Sequence, residues 1–130
     1  MAKENWLPAA DVQTFPAAGD LSAKQFYLME MDTSGEVDAA DATTDLCVGV
    51  LLNDPSEQGQ EAEVMIGVGK TVKLVASAAI SIGDKVGVTS TGKGVTVTAG
   101  KYHGVARDAA TADGEIIGLF FTGPIDIGVD

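Results

Sequence analysis

Val48-Gly49-Val50-Leu51-Leu52 runs into the turn-like Asn53-Asp54-Pro55-Ser56 and resumes after Gly59 as Glu61-Ala62-Glu63-Val64-Met65-Ile66. The same pattern returns farther on, where His103-Gly104-Val105-Ala106 reaches Asp108, crosses a small polar linker and resumes after Gly114 as Glu115-Ile116-Ile117-Gly118-Leu119-Phe120-Phe121. Each copy reads as a hairpin, and the two together suggest one β-rich unit built twice. Upstream, Thr33-Ser34-Gly35 is answered by Ser90-Thr91-Gly92, with the offset drifting by two residues, as loop insertions would produce. The architecture is more legible than any chemistry.

Outward from these words the strand signals come in short bursts. Gln25–Met31 ends at the turn Asp32-Thr33-Ser34-Gly35. Leu46–Leu52 follows, then Glu61–Val68 and Thr71–Val75, with Gly69-Lys70 between the last two suited to a tight hairpin. Ile80–Asp84 precedes Lys85–Thr89, and Ser90–Gly94 turns the chain into the alternating Val95-Thr96-Val97-Thr98. Ala76–Ala79 is the one candidate for a helical turn. Sixteen glycines and 5% aromatics favour many turns and thin strands. The expected fold is mainly β, a single compact barrel or β-clip-like domain over residues 21–130 with little helix. A chain of 130 residues is long enough for one core.

Residues 1–20 read differently. Trp6-Leu7-Pro8-Ala9-Ala10 and Phe15-Pro16-Ala17-Ala18-Gly19 are apolar words separated by Asp11-Val12-Gln13-Thr14, and their prolines prevent a continuous helix. This is the pattern of an extended arm that lays its aromatic side chains on its own body or on a neighbour. Against a partner, Trp6 is the natural anchor. The residues expected to make contacts with a neighbour are Trp6, Leu7, Pro8, Val12, Thr14, Phe15 and Pro16, and loss of residues 1–16 is expected to leave a folded body without its contact segment.

Composition narrows the function. Net charge is −11, with 13 acids and two lysines in residues 1–63 against six acids and six bases in residues 64–130. Such a surface repels a phosphate backbone, so nucleic acid is not an expected partner. The N-terminus lacks the basic start and apolar stretch of a secretory signal, and no run reaches membrane-spanning length. A soluble chain made in a cytoplasm, with no membrane partner, is expected. Cys47, the single cysteine, lies in an apolar run and reads as a small buried hydrophobe.

No catalytic or cofactor pattern is complete. Gly67-Val68-Gly69-Lys70-Thr71 ends like a phosphate-binding loop, but Val64 stands where the first glycine is required. Asp32–Asp38 resembles a calcium loop whose glycine comes too early, and Asp38, Asp41 and Asp45 offer at most a weak oxygen cluster. A sole histidine, His103, leaves neither a multi-histidine zinc site nor a triad, and Gly-x-Ser-x-Gly is absent. His103 reads as bordering a strand or an interface. No enzyme activity, metal or cofactor is expected.

Order and combination of words carry a resemblance. Leu21-Ser22-Ala23-Lys24, Met29…Met31-Asp32-Thr33-Ser34, Val37…Ala39…Asp41-Ala42-Thr43-Thr44-Asp45 and Val48-Gly49-Val50-Leu51 resemble the head decoration protein family of phage lambda and its relatives. Val75–Asp84, Gly104-Val105-Ala106 and Gly114-Glu115-Ile116-Ile117 resemble a second group of tailed-phage capsid cement proteins. The resemblance implies a structural virion protein on the outer surface of the phage head. It further implies a homotrimer at quasi-threefold positions, bound to the major capsid protein and stabilising the expanded shell. The alternative from the residues alone is a small β-barrel module that binds a soluble ligand or glycan.

Overall fold

Apolar residues at every second position, broken by glycine turns, leave the chain no route to a core except through paired short strands. In the computed structural model, which describes residues 11–127, ten strands form: β1 (Val12–Pro16), β2 (Leu28–Met31), β3 (Val37–Ala39), β4 (Gly49–Leu51), β5 (Glu61–Met65), β6 (Thr71–Val75), β7 (Lys85–Val88), β8 (Gly94–Thr96), β9 (Lys101–Ala106) and β10 (Ile116–Asp126). They make two five-stranded antiparallel sheets, ordered β1-β5-β4-β2-β3 and β6-β10-β9-β7-β8.

The two orders are one order. Val50 pairs with Met65, and Val105 with Phe120, each partner 55 residues on. Met29 faces Ala39 and Val86 faces Thr96, 57 residues on. Lone parallel bridges join Ala17 to Val37 and Ala76 to Gly94. Turn chemistry repeats as well: the Asn53 side chain accepts from Glu63 N–H, and Asp108 accepts from Gly118 N–H, both at 2.9 Å. Even the backbone exception has its counterpart. Phe26, at φ +67°, donates its N–H to Leu51 O, and Gly83, at φ +88°, donates to Ala106 O.

Several expectations need correction. The sheets do not close into a barrel. Only the single bridge Ala17–Val37 spans from the end of β1 to β3, and a three-residue β3 is too short to seal that seam. Glu61–Met65 and Thr71–Val75 are not hairpin partners: the turn at Gly67–Lys70 is tight, with Lys70 N–H donating to Gly67 O at 3.2 Å, but it carries the chain from one sheet to the other. Ala76–Ala79 is a bridge and bend, and no helix occurs among the described residues. The burst from Gln25 starts as a strand only at Leu28, because Phe26 adopts the left-handed conformation. β1 lies along β5, and Ala17 after it is buried.

Two cores result. Met29, Val37, Leu51, Ala62 and Val64 fill the inside of the first sheet. The opposite face of that sheet, with Leu28, Val50 and Met65, packs with Val72, Leu74, Val86, Leu119 and Phe121 of the second. Full burial of each such side chain stabilises by about 1.5–3 kcal/mol.

The shared register sets matching steric limits. A Cβ at Gly49 would meet the Met65 carbonyl oxygen, and one at Gly104 the Phe120 carbonyl oxygen. Gly49→Ala and Gly104→Ala are each expected to destabilise by about 1–3 kcal/mol, read as a lowered urea midpoint. A neutral result at either position would show that the two strand pairs are not packed alike.

Candidate functional site

β1 is an edge strand, so one of its sides hydrogen-bonds β5 and the other bounds the sheet. Its side chains alternate. Val12, Thr14 and Pro16 are exposed, whereas Gln13 and Phe15 turn toward the first sheet's interior, where Phe15 packs on the core. Proline is tolerated there because an edge strand has ladder positions that need no N–H. Of the residues expected to make contacts, Val12, Thr14, Phe15 and Pro16 thus lie in one strand. Trp6, Leu7 and Pro8 lie outside the described residues.

Beside β1 opens an apolar groove of about 460 Å³. Gln13, Phe15, Met31, Leu46 and Val48 line it from the first half of the chain, and Phe121, Gly123 and Pro124 of β10 line it from the second sheet. Met31, Leu46 and Val68 are exposed apolar side chains. Sequence reading missed this groove, because its walls are single apolar residues at strand ends and turns, far apart in the chain.

Behind the groove stands a buried polar contact. Cys47 N–H donates to His103 Nε2 at 3.1 Å, which leaves the proton of a neutral imidazole on Nδ1. His103 is fully buried within β9, and Nδ1 has no hydrogen-bond partner among the described residues. Burial pushes its pKa down to about 4, against a smaller upward pull from the Asp45 backbone and a downward one from Lys101. Cys47 is buried as expected, and burial, with Asp45 and Glu30 nearby, pushes its thiol up to about 12. This thiol is not a nucleophile at neutral pH.

Acidic side chains also meet, though not the three expected. Glu30 joins Asp41 and Asp45, with one carboxylate oxygen of each within 4.8 Å of the others. Burial first, then the hydrogen bond with Asp45 and the charges of Asp45, Asp41 and Asp38, raise Glu30 to about 7. The same hydrogen bond lowers Asp45, whose carboxylate also accepts from Asp41 N–H and Ala42 N–H at 3.0 Å. The hydrogen bond thus favours a protonated Glu30 beside an ionised Asp45.

The model of the family described as phage cement protein matches residues 8–120. No curated protein sequence matches the chain. Among solved structures, the base of the head fibre protein gp8.5 of bacteriophage phi29 is similar, with a TM-score of 0.69 and 18% identity. The match covers 85% of this chain and 94% of that one. At that identity the likeness is one of fold.

The two perturbed groups give opposite pH dependences. His103 titrates lower folded than unfolded, so stability falls as pH drops from about 6.5 toward 4, by on the order of 3 kcal/mol. Glu30 titrates higher folded than unfolded, so its contribution is lost as pH rises from 4.5 through about 7. Urea midpoints across this range are expected to lose the acid-side slope in His103→Gln. Glu30→Gln is expected to gain ~1 kcal/mol or less at neutral pH. Unchanged slopes in both variants would exclude these groups as the cause.

Proposed function

The chain belongs to the phage cement protein family, structural, non-enzymatic proteins of the virion head surface that bind the capsid, and from that premise we propose that it decorates the expanded shell as a homotrimer at quasi-threefold positions. Its partner in this reading is the major capsid protein, and its work is to hold neighbouring shell subunits together. The observation that carries the reading is the match of the family's pattern across residues 8–120. The resemblance of Leu21–Leu51 to the lambda decoration pattern supports the trimer.

Attachment falls to β1 and the residues before it. An edge strand can add a strand of the shell protein through main-chain hydrogen bonds, with exposed Val12, Thr14 and Pro16 setting which strand fits. Trp6-Leu7-Pro8 then supplies an apolar anchor just upstream. Such contacts are individually weak. Three on one trimer convert them to slow dissociation. A glycan-binding role has less support, since the groove's walls are apolar and sugar recognition needs hydrogen-bonding groups at the site.

Because β1 belongs to the first sheet, a cut after residue 16 would strip β5 of its partner. The informative truncation removes residues 1–10. Co-sedimentation with undecorated, expanded heads is expected to show the full chain saturating at a trimer per quasi-threefold site and raising the heat resistance of the shell. The truncated chain should keep its fold and bind at least ~100-fold more weakly. Full binding by the truncated chain would remove the arm from the account, and failure of the full chain to bind would overturn the cement reading for this shell.

A further inference from the structure

The contact between the two sheets is one-sided. The second sheet has an apolar seam between β6 and the β7–β8 pair, where Val72, Leu74, Val88 and Phe121 are all buried. What closes it is the outer face of the first sheet, Leu28, Val50 and Met65, with Cys47 hydrogen-bonded to His103. Backbone bonds fasten the join: Leu28 N–H donates to Gly92 O at 2.8 Å, and Val75 N–H to Phe26 O at 3.0 Å. Lys73 lies over the Phe26 ring. Among the described residues the reverse contacts are missing, and a Cβ at Gly35, the counterpart of Gly92, would have nothing within 4 Å.

Both halves of that contact therefore occur once more, unused. The register carries Val72, Leu74, Val88 and Phe121 back onto Gln13, Phe15, Met31 and Ile66, which line the open groove. It carries Leu28, Val50 and Met65 forward onto Lys85, Val105 and Phe120, on the outer face of the second sheet. Phe120 is 45% exposed there, and Lys85 lies over the Tyr102 ring.

We propose that the groove of the first sheet receives the outer face of the second sheet of another copy of this chain, repeating between chains the join made within one. This rests on the trimeric reading above and assigns its interface. The contact is heterologous, so copies add head to tail and a closed ring uses every groove and every outer face. Charge agrees with it. The first half of the chain carries the entire net charge of −11, and Asp32 and Asp45 adjoin Met31 and Leu46 in sequence. The second half is balanced and sets Lys85 in the same row as Val105 and Phe120. Groove against groove would set acid against acid.

Met31→Asp spoils the groove and Phe120→Asp the outer face. Both residues are more than two-fifths exposed, so each variant should fold, as checked by circular dichroism and melting. Sedimentation of the full chain at its highest soluble concentration should show an oligomer for the natural sequence and single chains of 13.3 kDa for each variant. An equimolar mixture of the two variants should give a dimer and nothing larger, since one intact groove meets one intact outer face and the pair cannot close. The inference is overturned if the natural chain remains a single chain, if both variants keep its mass, or if the mixture stays monomeric. It is equally overturned if association appears only after removal of residues 1–10, which would place that segment in the groove. The shell reading is judged separately: a natural oligomer that fails to bind expanded heads sinks that reading and leaves this interface standing.

Discussion

Leu28, Val50 and Met65 sit on the outside of one sheet and inside the molecule at once, and the fold depends on that double placement. A sheet of short strands with an open seam cannot hide its interior from water on its own. The second sheet solves this by borrowing the first sheet's outer wall. The first sheet, which has no such wall before it, shields its interior with Phe15, Tyr27, Val48 and Ile66, which stay only partly buried. The counterparts of Phe15, Val48 and Ile66 in the second sheet are Leu74, His103 and Phe121, which the join covers completely. His103 is the sharpest case. Its counterpart is Val48, and it takes the Cys47 N–H that the join would otherwise bury without an acceptor.

Repetition extends to interactions that no apolar pattern would reveal. Gln60 accepts from Ser56 N–H at 2.7 Å in the loop between β4 and β5, and Glu115 accepts from Thr111 N–H at 2.9 Å in the matching loop between β9 and β10. Asn53 and Asp108 serve the same N–H in the two sheets with different side chains. The geometry persists while the chemistry drifts, because what the loop requires is an oxygen at that place. Where the requirement is a backbone conformation, drift is costlier. Phe26 holds at φ +67° what Gly83 holds at +88°, and a non-glycine residue there costs about 1–2 kcal/mol unless packing offsets it. Phe26 is packed against the shared core.

The sequence disclosed what is local. The words around Gly49 and Gly104 mark strands in the same place in each sheet, the two-residue drift at Gly35 and Gly92 reappears in the β2–β3 and β7–β8 pairings, and Cys47 is buried. What stayed hidden depends on partners distant in the chain. The turn at Gly69-Lys70 has hairpin chemistry, and only the competition between partners decides that β5 pairs with β1 and β4 instead of β6. Glu30 completes the acidic cluster from a different strand, a position that spacing among Asp38, Asp41 and Asp45 could not supply. The groove was invisible for the same reason. The extended conformation of Val12–Pro16 was legible. Its assignment to a sheet was not, because an edge strand and a free strand have the same alternation.

An adhesive protein must bind its target without binding itself at random, and sheet edges are where random association begins. This chain offers four edge strands, β1, β3, β6 and β8. Three are guarded within the fold: β3 by the bridge to Ala17, and β6 and β8 by the Ala76–Gly94 bridge together with the Leu28 and Phe26 backbones. β1 has the Ala17–Val37 bridge at its end and Pro16 as a partial block, and no backbone contact from the other sheet like the one Phe26 makes to β6 is found among the described residues. Charge supplies the second filter. Two first sheets would set acid against acid, whereas a first sheet against a second sets the acidic half of the chain against a balanced one. A uniformly acidic protein would be as soluble but would oppose every self-contact equally. Placing the whole excess on one of two like halves keeps the charge that aids solubility and leaves head-to-tail contact less opposed than contact between two acidic halves, the order that the proposed ring would use.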